Sequence, residues 1–187
     1  MSVIPFVPAF RDSGGGIYSG NAGISIDVME AATRSGYGFI GSTTVQTVNS
    51  SNLMASMIAN PIGSGRNVHI ILREFGCNVT TGVLEYQAYS NPTYTLNQNG
   101  AVANLRPGSP ISPVAAMTWQ IGTSFTPGGT AASGGFFPDT GGYREARYLG
   151  ILTPGVSLTY LVQGNGGGSL QNQARIVMSY LWYEEPI

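Results

Sequence analysis

Apolar and polar residues alternate with a period of two along much of the chain from Tyr37 onward. In Asn67–Phe75, three aliphatic residues alternate with three others, namely Val68, Ile70 and Leu72 against His69, Ile71 and Arg73. In Tyr37–Thr47 the odd-numbered residues share one face, and β-branched side chains lie on both faces. A period of two places successive side chains on opposite sides of an extended backbone. Both segments are therefore predicted to be half-buried strands.

Seven further segments have the length and composition of strands: Leu53–Ala59, Val83–Tyr89, 101–105, Val114–Gly122, Arg147–Leu152, Val156–Gln163 and Ala174–Tyr183. Turn-forming residues separate the strands, as at Asn60–Gly65 and Thr153–Gly155. Residues 66–90 are predicted to form one antiparallel pair of strands. Eight or nine short strands in this arrangement are typical of an all-β fold, and we expect a jelly-roll-like antiparallel β-sandwich.

The first 36 residues differ from the rest and are predicted to form an extended N-terminal arm (residues 1–36) ahead of the sandwich domain (residues 37–187). Prolines interrupt the start of the arm, and a run of glycines follows. Asp27–Arg34 has the pattern of two helical turns, with Ser25 or Asp27 as the cap and Gly36 past the end. The length of 187 residues corresponds to a single domain of this class.

Thr123–Gly142 is predicted to be a loop that is longer than a compact sandwich needs. Loops of this length usually carry function or are disordered. The segment contains Phe125, Phe136 and Phe137 among its glycines, and aromatic side chains on such a loop indicate contact with a partner. The alternative is that these rings fold back as a lid over the end of the β-structure.

Charge is scarce in this chain. Only 9% of the residues are charged, the net charge is −1, and all eight basic residues are arginine. The basic surface that binds nucleic acid or an anionic membrane is missing, so neither is expected as a partner. Free monomers usually keep a highly charged surface, so we expect this one to be covered by copies of itself or by a larger assembly. A genomic preference for arginine over lysine is the alternative, although it leaves the low acidic count unexplained.

Cys77 is the single cysteine, which excludes a disulfide within the chain. The N-terminus lacks a basic region followed by an unbroken apolar stretch, so it is not predicted to be a signal peptide. No run approaches the ~18 apolar residues of a membrane-spanning helix.

Three short motifs match catalytic or cofactor sequences, and none has the context that its chemistry needs. Gly36–Gly41 matches the dinucleotide fingerprint but lies in a predicted strand with no helix behind it. Asp139–Gly141 matches the aspartic-protease triplet, which needs a second carboxylate from another copy. His69 and Cys77, the only imidazole and thiol, are separated by eight residues of strand, or more than about 20 Å. We expect no enzyme, no cofactor and no metal site.

The densest charge lies at Arg144–Arg147 and at Arg73–Glu74. These groups are predicted either to form buried ion pairs at a subunit contact or to form cross-strand pairs on the surface. An exposed pair of this kind contributes less than about 1 kcal/mol.

The C-terminal third resembles a known group of proteins. Leu152–Leu158 introduces an apolar strand through a Pro-Gly turn, and Arg175–Glu185 ends in an aromatic pair followed by two acids. This ending is similar to that of small jelly-roll virion proteins of tailed bacteriophages. Asn60–Val68 and Glu85–Thr93 are similar to the first hairpin of the same family.

The resemblance implies a structural protein of the virion, a decoration or cement protein that binds the major capsid protein or other virion proteins, usually as a homotrimer. Its contacts are expected on the arm, the long loop and the charged segment, and the candidate interface residues are Phe6, Phe10, Arg11, Phe125, Phe136, Phe137, Arg144 and Arg147. The alternative is a tail or head-fibre module that recognises a host receptor or glycan, with the phenylalanines of the loop and the tyrosines as stacking platforms.

Overall fold

The computed structural model describes residues 21–49, 52–79, 83–92, 95–123, 125, 128–137, 142–165 and 174–187. Within these residues the chain forms one helix and twelve strands. In chain order they are α1 (Asn21–Arg34), β1 (Gly38–Ser42), β2 (Gln46–Val48), β3 (Leu53–Ala59), β4 (Arg66–Val79), β5 (Val83–Ser90), β6 (Gln98–Asn99), β7 (Ala101–Asn104), β8 (Ala116–Gly122), β9 (Thr130–Phe137), β10 (Gly142–Leu152), β11 (Ser157–Asn165) and β12 (Ala174–Pro186).

The described strands form two six-stranded sheets, and neighbouring strands within each sheet are antiparallel. Sheet I has the order β10-β4-β12-β1-β7, with β2 pairing to β12 outside this path. Sheet II has the order β6-β8-β3-β11-β5-β9. Apolar residues of both sheets share one buried cluster, so the fold is an antiparallel β-sandwich. The predicted all-β class is confirmed.

The core lies between the two sheets. Along β12 the even-numbered residues from Ala174 to Trp182 are all buried, as the period of a strand requires. Phe39 and Phe75 extend this layer across sheet I, and Met54 covers it from sheet II. Each large apolar side chain that is fully buried contributes about 1.5–3 kcal/mol to stability.

Helix α1 ends where the sequence predicts. The amide of Tyr37 donates to the carbonyl of Ala32 at 2.8 Å, and the amide of Gly36 donates to the carbonyl of Thr33 at 3.0 Å. Gly36 has a φ of 81°, which a glycine adopts at little cost, and these bonds form a Schellman motif. The predicted turns Asp27–Arg34 are therefore the later part of a longer helix.

The helix covers the outer face of sheet I, because Met29 and Ala32 pack against Tyr183. The last part of the predicted arm is thus joined to the sandwich by apolar contact. The remainder of the arm, residues 1–20, lies outside the described residues.

The predicted strand Tyr37–Thr47 is two strands. Thr43 ends the first segment, where its amide donates to the carbonyl of Met178 at 2.9 Å and its hydroxyl accepts from the Met178 amide at 3.1 Å. The chain then leaves the sheet at Thr44 and Val45, and Val45 is 51% exposed although the alternation places it on the inner face. β2 resumes the pairing with Val48 buried.

The prediction that the strands within residues 66–90 pair with each other was wrong. β4 pairs with β10 and β12 in sheet I, whereas β5 pairs with β11 and β9 in sheet II. The alternation along each strand reports which face is buried, and it carries no information about which neighbour supplies the hydrogen bonds. The chain therefore crosses from one sheet to the other where a hairpin was expected.

The predicted loop Thr123–Gly142 was also wrong in its second half. Thr130–Phe137 forms β9, which pairs with β5, and β10 begins at Gly142. Alanine, serine and glycine dominate β9, and they give neither alternation nor strong β-propensity. Its extended conformation is held by backbone hydrogen bonds to β5, which a local pattern does not reveal. With β2 and the two-residue β6, β9 raises the described strands to twelve.

Candidate interaction surface and buried polar sites

Four of the predicted interface residues lie on edge strands. Phe136 and Phe137 are on β9, the edge of sheet II, opposite Glu85 and Leu84 of β5. Arg144 and Arg147 are on β10, the edge of sheet I, opposite Phe75 and Leu72 of β4. Four residues separate the two strands, so the end of β9 and the start of β10 lie within about 18 Å of each other. The four residues singled out from the sequence therefore lie on two edge strands that follow each other in the chain.

Phe125 precedes β9 in the chain and belongs to neither edge strand. It is half-buried and packs against the cluster of Ala55, Leu96 and Leu161 on the outer face of sheet II. A Cβ added at Gly122 would lie 3.0 Å from its ring, so this glycine gives the ring room. The ring thus packs on a sheet face, whereas the predicted lid would lie over the end of the β-structure. The other three candidates, Phe6, Phe10 and Arg11, lie outside the described residues.

Exposed isoleucines collect at one end of the sandwich, which we call the isoleucine end. Ile62 is 90% exposed on the turn between β3 and β4, and a Cβ added at Gly155 would lie 3.1 Å from it. Ile187 is 73% exposed, and its amide donates to the carbonyl of Gly65 on the same turn at 3.0 Å. This end therefore offers apolar surface beside two tightly bonded turns.

A β-bulge in β4 reverses the faces of this strand. Leu72 lies opposite Leu181 and Ile70 lies opposite Trp182, so Ile71 is an extra residue. Val68 and Ile70 point into the core before the bulge, and Arg73 and Phe75 do so after it. A bulge shifts the phase of alternation by one residue. Because of this shift an arginine is buried where the sequence pattern places leucine.

The guanidinium of Arg73 is enclosed by aromatic rings. Its Cζ lies 4.2 Å from the ring centres of Phe75 and Tyr160 and 5.3 Å from that of Tyr86, and the residue is only 4% exposed. Its Nε has no hydrogen-bond partner within the described part of the chain. The faces of aromatic rings are negative, so cation–π attraction partly replaces the lost water.

Burial raises the pKa of the Tyr160 phenol, an effect that Arg73 opposes through its charge and a hydrogen bond and that Tyr86 reinforces. The neutral phenol is therefore the stable form beside the cation. Arg73 was predicted to form an ion pair. Among the described residues, aromatic ring faces enclose its guanidinium instead.

Glu184 is a fully buried carboxylate with four neighbouring donors. The amides of Val114 and Ala115 donate to it at 2.9–3.0 Å, and the indole of Trp182 donates at 3.3 Å. Arg66 forms an ion pair with it at 2.8 Å. Charge-assisted hydrogen bonds of this kind satisfy a buried carboxylate and fix the groups around it. Glu184 thus ties the last strand to the segment that precedes β8.

The neighbouring Glu185 contacts the single histidine. Its Oε2 lies 3.0 Å from Nε2 of His69, and the imidazole stacks on Tyr183 with ring centres 4.3 Å apart. Burial lowers the pKa of His69, and the hydrogen bond and charge of Glu185 oppose that effect. The two acids at the chain end therefore serve separate contacts, one inside the sandwich and one on the face of sheet I that α1 also covers.

The structure describes two of the three candidate chemical motifs, and Asp139–Gly141 lies outside the described residues. His69 and Cys77 lie on the continuous strand β4, which runs through Gly76 without ending. Gly41 lies against Trp182, where a Cβ would come within 3.0 Å of the ring. Among the described residues no group of three or more His, Cys, Asp or Glu is placed to hold a metal ion. No helix in the described ranges is long and apolar enough to span a membrane.

Sequence reasoning did not single out Arg66 or Glu184, and for Arg73 it offered an ion pair, buried or exposed, and not an aromatic enclosure. A signal was present for Glu184, since two acids directly follow Trp182-Tyr183 in a chain with only nine acidic residues. Carboxylates beside aromatic residues within a strand indicate burial with a partner. No comparable signal exists for Arg73, because the bulge that buries it depends on β10 and β12.

Comparison with known proteins leaves the chain without an assigned family. No protein-family model matches it, and no curated protein matches it. Among solved structures it is similar to an aminopeptidase from the marine sediment archaeon Thaumarchaeota archaeon, with 11% identity and a TM-score of 0.17. That match covers 95% of this chain, which spans 30% of the aminopeptidase chain. A TM-score this low supports no inference about fold or activity.

Proposed function

We propose that the sandwich is a jelly roll and that the protein is a structural component of a tailed-bacteriophage virion. The observation that carries the proposal is the strand order. Sheet I contains β10-β4-β12-β1, and sheet II contains β3-β11-β5-β9. Among these eight strands, β1, β4, β10 and β12 of sheet I alternate along the chain with β3, β5, β9 and β11 of sheet II, except that β5 and β9 follow each other within the set. The other four strands, β2, β6, β7 and β8, are additions to this set. An eight-stranded jelly roll has this interleaving, and viral capsid domains use it.

The composition supports a role in an assembly. A surface with few charges and no lysine suits permanent burial against neighbours better than free diffusion. The resemblance of the C-terminal strands to phage virion proteins points in the same direction. The protein would therefore decorate or cement the capsid, in contact with the major capsid protein or other virion proteins, and would catalyse no reaction.

The attachment surfaces we propose are the N-terminal arm and the two neighbouring edges. Phe136 and Phe137 belong to β9 and Arg144 and Arg147 to β10, and each of these strands has a single neighbour among the described strands. Aromatic residues and arginine are enriched at protein interfaces.

Mass spectrometry of purified virions tests the proposal. The chain should be present at a copy number that matches a symmetric site on the capsid, with cross-links to the major capsid protein. Its absence from purified particles, together with its presence in the lysate, would show that the proposed function is wrong.

Trypsin gives a second test of the arm. The chain has no lysine, and Arg11 is the first arginine, followed by Arg34 on α1. If the arm holds the capsid, cleavage after Arg11 is slower on particles than on the isolated protein. Equal rates would remove the arm from the attachment surface without affecting the test of virion location.

A further inference from the structure

We propose that the free edge of β9 is a site of strand addition and that its occupant is β9 of a second copy of this chain, paired antiparallel about a twofold axis. Among the described strands β9 pairs with β5 alone, and none of them bonds to the backbone groups on its other side. Such an edge is a template for another strand unless the protein blocks it. The inference concerns the isolated chain and does not depend on the function proposed above.

The other edges among the described strands are those of β2, β6, β7 and β10, and they are blocked by the usual means. β2 has only three residues. β7 has four residues and β6 has two, which is too short to template a stable pair. β10 is longer, but it carries Arg144, Glu145 and Arg147 and an irregular register between Arg147 and Gly150. Charge and bulges both prevent unwanted pairing at an edge.

β9 lacks these defences over most of its length. Thr130–Phe137 contains no charged residue and no proline. One irregularity lies near its start, where Ala131 is opposite Tyr89 and Ser133 is opposite Ala88. The regular part, residues 133–137, has five residues and spans about 17 Å. That length is ordinary for a pairing strand.

Two glycines lie in the middle of this regular part, Gly134 and Gly135. Glycine weakens a strand interior and often marks a place where another backbone approaches closely. Gly134 is exposed, and a Cβ added there would lie 3.2 Å from the carbonyl oxygen of Tyr86 on the β5 side. The close approach to β5 accounts for Gly134 within the sheet, and the absence of a side chain at both glycines also leaves room for a further backbone beside β9.

A second copy is the occupant that the chain itself favours. Two identical uncharged strands meet without like-charge repulsion, and the net charge of −1 adds little long-range repulsion between copies. An antiparallel pair of identical strands is self-complementary, as a twofold interface requires. Among the described edges, only β9 offers an uncharged strand of matching length. A twofold contact of this kind is distinct from the trimer that the resemblance implies.

Sedimentation equilibrium of the purified chain tests the mass. The wild type should have twice the monomer mass of 19.6 kDa. Ser133→Lys places a charge on the β9 edge and should raise the dimer dissociation constant at least about tenfold, which is about 1.4 kcal/mol. The matched control, Ala103→Lys, places the same charge on exposed Ala103 of the β7 edge and should leave the dimer intact. A monomer, a trimer or equal effects of the two variants would overturn the proposal.

Cysteine cross-linking tests the geometry. Cys77→Ser removes the native thiol, and single cysteines are then introduced at positions 133 to 137. Only a residue next to the twofold axis faces its own copy within the 4.4–6.8 Å between Cα atoms that a disulfide needs. Cross-linking should therefore peak at one position and fall on both sides. A dimer that cross-links at none of the five positions would place the contact elsewhere and contradict the proposal.

Discussion

Arg66 and Glu184 lie 118 positions apart in the sequence and form a 2.8 Å ion pair across the start of β4 and the end of β12. Arg66 also donates to the carbonyl of Ser112 at 3.1 Å and lies over the ring of Tyr37 at 5.0 Å. One arginine thus joins the strand that follows α1, the segment before β8 and the C-terminal strand. The isoleucine end of the sandwich is built around this contact.

Glu184→Gln should lower the free energy of unfolding by about 1–3 kcal/mol, because the charge-assisted hydrogen bonds of the buried carboxylate are lost, while the partly exposed Arg66 can regain hydrogen bonds from water. The amide nitrogen of the new side chain would also face donors on Val114 or Ala115. Urea denaturation at neutral pH measures the loss. The control is Glu30→Gln, which removes an exposed pair with Arg34 and should cost less than about 0.5 kcal/mol. Similar losses for both variants would contradict the role of Glu184.

The stability of the protein should fall on acidification because of His69. Burial lowers its pKa below the ordinary 6.5, although Glu185 opposes the shift. The unfolded chain then binds a proton more readily than the folded chain, so stability is lost as the pH falls from about 6.5 through the lower folded pKa. His69→Gln should have a flatter dependence over that window. Because His69 is the single histidine, its NMR titration is unambiguous, and a midpoint above 6.5 would contradict the prediction.

Arg73→Met should keep or raise stability, whereas Arg73→Lys should lower it by about 1–2 kcal/mol. Methionine fills the space between Phe75 and Tyr160 without a desolvated charge, and buried charges replaced by apolar residues are often neutral or stabilising. Lysine keeps the charge but loses the planar stacking of the guanidinium, and a desolvated cation–π contact contributes up to about 2 kcal/mol. Thermal unfolding of the two variants orders them. The reverse order would show that the charge of Arg73 is needed in the core.

Gly41→Ala should destabilise the fold by about 1–3 kcal/mol, as overpacking of a dense core does. The new Cβ would lie 3.0 Å from the Trp182 ring and 3.0 Å from the Met117 sulfur. The comparison variant is Gly76→Ala, which should cost less because, among the described side chains, its Cβ would meet one methyl of Val177 at 3.0 Å. Chemical denaturation of both variants gives the difference. A tolerated Gly41→Ala would mean that packing against Trp182 does not require this glycine.

The candidate surface was predictable in part. Phe136, Phe137, Arg144 and Arg147 stood out by residue type, and the structure places them on two edge strands. Their local sequence did not show that they lie on edge strands. A strand is at an edge when only one other strand pairs with it, and local sequence does not reveal the number of paired strands. Phe125 has the same local appearance, and it packs against sheet II because Leu96 and Leu161 are near it in space.

The sequence by itself determined the all-β class, most strand positions, the end of α1 at Gly36 and the turn at Thr153–Val156. That turn closes with a 3.0 Å bond from the amide of Val156 to the carbonyl of Thr153, and Gly155 has a φ of 88°. These features follow from alternation and from the backbone freedom of single residues, which are local properties.

Only the tertiary structure decided which strands pair, which side of β4 faces the core and which of the described strands lie at the ends of each sheet. Arg73 is buried because a bulge at Ile71 shifts the phase against β12, and Glu184 is satisfied because Arg66 and Val114 arrive from distant segments. Strand pairing is a relation between residues far apart in the chain. Each strand exposes the same backbone groups to every neighbour, so its own sequence does not specify its partner.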